Sequence, residues 1–150
     1  MPSIILLGWR EWLALPDLGI PALRAKLDTG ARSSSLHVES LETFRRHGDD
    51  WLRFAVRSYG RRGLMHGCEM PACDRRRVTD AGGHSSVRWF IRSAVILAGE
   101  SFEIELNLAD RRSMRFPMLV GRSALEGRFA VDPAQSYVGG HAAPSVLPLS

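Results

Sequence analysis

At 150 residues and 45% hydrophobic content, the chain is sized for one domain with a proper core, and its composition excludes wholesale disorder. The formal net charge of +4 is almost all arginine, with Lys26 as the sole lysine; such forks suit acidic substrates or phosphates, although a GC-rich genome gives the same bias. Two cysteines, Cys68 and Cys73, exclude a disulfide framework, and the apolar run Ile4 to Leu7 is too short for a signal or membrane-spanning segment, so a cytoplasmic protein with no membrane association is expected.

In chain order, "PALRAKL" (21–27) and "SSLHVESL" (34–41) read as strands flanking "DTGARS". "WLRFAVRS" (51–58) alternates, with Leu52, Phe54 and Val56 on one face and Arg53 and Arg57 on the other. "SVRWFIRSAVIL" (86–97) is β-branched and aromatic and predicts two strands or one long bent one. "SFEIELNLAD" (101–110) sets Phe102, Ile104, Leu106 and Leu108 against Glu103, Glu105 and Asn107. Turns are expected at Asp49-Asp50, Tyr59-Gly60, Gly63, Asp80 to Gly83, Gly99 and Asp110. "GRSALEGR" (121–128) predicts one short helical turn capped by Ser123 with Glu126 at its third position. The expected architecture is all-β: a small closed β-barrel over residues 1–139, followed by a flexible tail at 140–150.

Chemistry is sparse outside one loop. His47, His66, Cys68, Cys73 and His84 lack the paired spacings of a zinc site, so no metal and no cofactor is expected. No G-x-S-x-G elbow and no glycine-rich phosphate loop is present. The arginine pairs and triplet at 45–46, 61–62, 75–77 and 111–112 are separated by turns and strands, which argues for a solvated β surface over nucleic-acid binding.

Asp28-Thr29-Gly30 is different. Asp followed by Gly is ordinary turn chemistry when taken alone. Here it ends an alternating strand and is followed by small residues, while "FPMLVGR" (116–122) downstream is a bulky apolar run ending in Gly121. A carboxylate loop braced by such a segment is the arrangement of aspartic peptidases. Two carboxylates about 3 Å apart cannot both ionise, so they share a proton; one activates water while the other polarises the scissile carbonyl. With one Asp of this kind per chain, the partner must be Asp28 of a second copy, so a homodimer is expected.

Together, "GWREWLALPDLGIPALRAKLDTGARSSSLH", "RRRVTDAGG", "IELNLADRRSMRFPMLVGRSAL" and "FAVDPAQSYVGG" resemble a bacterial family of retropepsin-like proteins that carries the label ATP-dependent zinc protease. The resemblance spans about residues 4–139. It implies a barrel of the retropepsin or pepsin type with Asp28, Thr29 and Gly30 as catalytic loop. Ala31, Leu119, Val120, Gly121 and Arg122 are implied as its support. It also implies association with an ATP-grasp ligase that adds glutamates to a ribosomal protein, and hence an acidic, glutamate-modified protein or peptide substrate. The zinc and ATP parts of the label find no residues here. The chain departs from the family pattern at Asp110, where Asn is usual, and at "GGHSSVR", where an acidic residue is usual. The flap that would cover the dyad is either "SYGRRGLMHG" (58–67) or "TDAGGHSS" (79–86), which would bring Arg61 and Arg62, or His84, near substrate. The alternative to a peptidase is a non-catalytic module that binds a peptide or partner on the same fold.

Overall fold

A computed structural model describes residues 3–58, 64–80, 82–110 and 116–140. The central part of the first flap candidate, with Arg61 and Arg62, lies outside these residues, as do Arg111, Arg112 and all of the tail after Gly140.

The chain is mostly β. Its strands are β1 (Ile5–Gly8), β2 (Arg10–Leu15), β3 (Ile20–Asp28), β4 (Ser34–His37), β5 (Ser40–Arg46) and β6 (Asp49–Arg57). They continue as β7 (Met65–Pro71), β8 (Asp74–Thr79), β9 (Ser85–Leu97), β10 (Glu100–Ala109), β11 (Met118–Gly121) and β12 (Phe129–Asp132). A 3-10 turn at Pro16–Leu18 and one short helix, α1 (Arg122–Leu125), complete the described elements. The large sheet runs β10-β4-β11-β3-β2-β9-β8, and β10 also pairs with β9, so the pairings form a ring with β8 attached to it. Strands β5, β6 and β7 make a separate sheet, and β1 pairs in parallel with β12.

The expected 86–97 segment is one strand, 13 residues long, because its two ends serve different partners. Residues 85–90 pair with β8, while 90–97 pair with β10 and the last two also meet β2. "SSLHVESL" instead divides into β4 and β5, which belong to different sheets. The turn expected at Asp49-Asp50 falls two residues earlier, at His47-Gly48, where both residues have positive φ (52° and 84°). Ala98-Gly99 (φ 52° and 80°) closes β9–β10 in the same way; two-residue loops of this kind match the twist of the strands they join. The helix forms where expected, but its cap does not. Gly121 is the N-cap, Ser123 lies inside the turn, and Glu126 ends it by donating its N–H to Arg122 O. Ser123 N–H is drawn to Arg32 O, and the helix starts two residues before the register a Ser123 cap needs.

The core gathers the inward faces of both larger sheets. Leu23, Ala25 and Leu27 of β3 pack with Leu36, Leu52, Phe54, Ile91, Leu106, Met118 and Val120. The alternation of β3 therefore leaves Arg24, Lys26 and Asp28 on its opposite face, part-exposed.

Glu11 is fully buried, and its carboxylate ties the two ends of the chain together. It accepts the N–H of Gly8 (2.7 Å), Val138 (2.9 Å) and Gly139 (2.9 Å). A Gln has one acceptor oxygen where three donors converge, so Glu11→Gln leaves a buried N–H unsatisfied. We expect it to lower the unfolding free energy by about 1–3 kcal/mol, read as an earlier urea midpoint; an unchanged midpoint would contradict this role for the carboxylate.

Candidate active site

Strand β11 lies between β3 and β4, parallel to the first and antiparallel to the second. The loop joining β3 to β4 must therefore pass over the end of β11, and that loop carries Asp28, Thr29 and Gly30. In register, Gly121 sits beside Asp28 and Leu119 beside Lys26. The loop is stitched to the segment after β11 by Arg122 N–H to Ala31 O (2.7 Å) and Ser123 N–H to Arg32 O (3.1 Å). Gly121 N–H donates to Ser34 Oγ (2.9 Å), and Arg122 Nη1 reaches Thr29 O (3.4 Å).

Gly121 has ordinary extended φ, so its requirement is space. A Cβ there would stand 2.4 Å from Ser33 O and 3.0 Å from Ala31 O, both backbone atoms. Leu119 and Val120 are buried and anchor this brace in the core. The eight residues singled out in the sequence are thus brought together.

Asp28 is half-buried and faces a groove of about 1040 Å³. Gly30 N–H donates to Asp28 Oδ1 (2.9 Å), which fixes the carboxylate, and Oδ2 has no hydrogen-bond partner among the described residues. Thr29 and Gly30 are exposed, so the loop tip presents itself to solvent in the single chain. Five basic side chains, Lys26, Arg32, Arg76, Arg77 and Arg88, line the groove with three carboxylates, Asp28, Asp80 and Asp110.

The two flap candidates differ in how their described residues meet this groove. Thr79, Asp80 and Gly82 of the β8–β9 hairpin line it, whereas the described residues at the β6–β7 joint do not. The hairpin is shaped by Asp80, whose Oδ1 accepts the N–H groups of Gly82 and His84, both at 2.9 Å. His84 itself is exposed and its ring lies 3.5 Å from Asp80. The His84 N–H above all, then that of Gly82, holds the Asp80 carboxyl below the usual carboxylate range. A carboxyl whose folded value is depressed stabilises above its unfolded value, and that contribution is lost as pH falls through the folded one. Asp80→Ala should therefore reduce amide-exchange protection at Gly82 and His84 at neutral pH, and the wild type should lose it only in acid. Equal protection in the two proteins at pH 7 would contradict the latch.

Sequence reasoning missed a buried polar network behind the groove. Asn107 is 1% exposed although the alternation of β10 puts it on the polar side, because β4 pairs with this end of the strand. Its Nδ2 donates to Ser34 O (2.9 Å), while its Oδ1 accepts from Ser35 Oγ and from Arg88 Nη1 (3.0 Å). The signal was present in "SSSLH" and "LNL": polar residues inside segments otherwise read as apolar.

No group of three or more metal-ligating side chains is found among the described residues. Cys68 is buried, its thiol near Leu18 O, and burial pushes it up to about 11, which makes it a poor nucleophile at neutral pH. Many arginines expected on a solvated surface are ion-paired, including Arg45 with Asp50, Arg46 and Arg53 with Glu69, and Arg76 with Asp74 and Glu105. No helix among the described residues is long and apolar enough to cross a membrane.

The chain is 38% identical over 133 residues to a probable alpha-L-glutamate ligase of Shewanella pealeana, covering 88% of this chain. It is 39% identical over 138 residues to another of Parasynechococcus marenigrum, covering 91% of it. The matched segment spans 29% and 30% of those two relatives. Among solved structures, Lpg0085 of Legionella pneumophila, a protein with unknown function, superposes with a TM-score of 0.75 at 29% identity, covering 91% of this chain and 99% of that one. The family described as retropepsin-like aspartic endopeptidase RimB matches residues 6–141, and the chain belongs to this RimB-like family.

Proposed function

We propose that the protein is a homodimeric aspartic endopeptidase of retropepsin type, with a small β-barrel fold and one Asp28 contributed by each subunit. The observation that carries this reading is the insertion of β11 between β3 and β4, which clamps the Asp28 loop against Gly121. An exposed loop tip and a carboxylate with one oxygen unengaged suit a site completed by a second copy. In the dimer the paired carboxylates share a proton; the ionised one takes a proton from water as it attacks the peptide carbonyl, and the protonated one donates to the carbonyl oxygen. Thr29 and Gly30 shape the loop, and the β8–β9 hairpin covers the substrate.

The substrate we propose is an acidic, glutamate-modified protein or peptide. Two observations support it: the basic lining of the groove, and the presence of a homologous segment within longer relatives named as glutamate ligases. Those relatives also favour a second reading, in which the fold serves a ligase partner as a peptide-binding module without hydrolysis. Incubation with glutamate-tailed peptides, followed by mass spectrometry, separates the two. Cleavage that persists in EDTA, with a bell-shaped pH dependence, is expected of the peptidase. Intact peptide across acid and neutral pH would leave the binding module.

A further inference from the structure

Among the basic side chains of the groove, Arg88 differs in what holds it. Arg76 is neutralised by Asp74 and Glu105. Arg88 bonds only to neutral groups: Nε to Ser86 Oγ (3.1 Å), and Nη1 to Ser35 Oγ (3.2 Å) and Asn107 Oδ1 (3.0 Å). Its Nη2 has no hydrogen-bond partner among the described residues. A half-buried guanidinium is thus held in place with no counter-charge bonded to it and two N–H donors to spare.

Its presence is not needed to satisfy the buried groups beneath it. Ser35 Oγ already donates to Asn107 Oδ1, and Asn107 Nδ2 already donates to Ser34 O. What Arg88 adds is charge. A fixed guanidinium bonds a carboxylate more strongly than a neutral amide, because charge assistance roughly doubles the hydrogen bond and the fork is pre-organised.

Its location gives that charge a use. Arg88 lines both the Asp28 groove and a second cleft of about 400 Å³, as does Asp110; Glu39 and the apolar Val38, Leu41, Val87 and Leu108 also wall that cleft, so Arg88 is the one basic side chain there among the described residues. A peptide leaving the Asp28 groove for this cleft passes Arg88. We infer that Arg88 is a specificity-determining residue that holds a carboxylate of the bound peptide at the junction of the two clefts. This rests on the reading of the Asp28 groove as a substrate groove, and it does not require hydrolysis.

Binding tests it apart from catalysis. In an Asp28→Asn background, calorimetry compares tetraglutamate capped at both ends, tetraglutamine capped at both ends, and tetraglutamine with a free C-terminus. Capped tetraglutamate is expected to bind more tightly than capped tetraglutamine. Adding Arg88→Gln should weaken the carboxylate-bearing peptide by about 10- to 100-fold and leave capped tetraglutamine unchanged. Arg88→Lys, which keeps the charge without the fork, should fall between, and it serves should the Gln variant not fold. If free-acid tetraglutamine is the peptide that loses affinity, the carboxylate held is the terminal one. Equal weakening of all three peptides, or no weakening, would overturn the inference. Wild-type cleavage with peptide discrimination unmoved by Arg88→Gln defeats this inference alone; discrimination without cleavage defeats only the peptidase reading.

Discussion

Asp28→Asn is expected to reduce peptide hydrolysis by about 10²- to 10⁴-fold, the range for removing a positioned acid–base group. Folding should be almost unaffected. The amide oxygen can still accept the Gly30 N–H now taken by Oδ1, and the bonds from Arg122 and Ser123 to the loop involve backbone oxygens only. The side chain is half-buried and faces the groove, so the substitution disturbs no core packing. The comparison is of kcat with the thermal midpoint. Full activity in the variant would refute catalysis by Asp28.

Gly121→Ala should be nearly as damaging by another route. The added Cβ would lie 2.4 Å from Ser33 O and 2.5 Å from Ser33 C, so the loop backbone itself must move. Overpacking of this kind costs about 1–3 kcal/mol in stability. A shift of about 1 Å at the catalytic loop can cost about 10²-fold in rate. Gly67→Ala is the control: nothing lies within 4 Å of its Cβ position, and both stability and activity should be retained. If Gly121→Ala matched Gly67→Ala in both measures, the brace would not position the site.

Much of this site was legible in the sequence because its parts are local patterns. The alternation through Leu23, Ala25 and Leu27 sets the face on which Asp28 emerges, and "MLVG" ends in the one residue small enough for the crossing. The order of the sheet was not legible. That β11 lies between β3 and β4 depends on pairings across more than eighty residues of chain, such as Gly121 with Asp28, which periodicity does not encode. β8 was hidden for another reason. Its arginine triplet gives neither face a clear apolar pattern, yet it pairs along β9 from Asp74 to Thr79 and carries the hairpin to the groove. Alternation placed Asn107 on the polar face of its strand and read Ser34 and Ser35 as the start of another strand, but neither pattern reports burial, which their mutual bonding allows.

The two-subunit site is the central claim, and subunit mixing tests it most directly. Wild type and Asp28→Asn chains are refolded together at equal amounts, with total chain concentration fixed, and hydrolysis is compared with wild type alone. If each site needs Asp28 from both chains, random pairing leaves about one quarter of the activity. Retention of about half, the result for sites complete within one chain, would contradict the account.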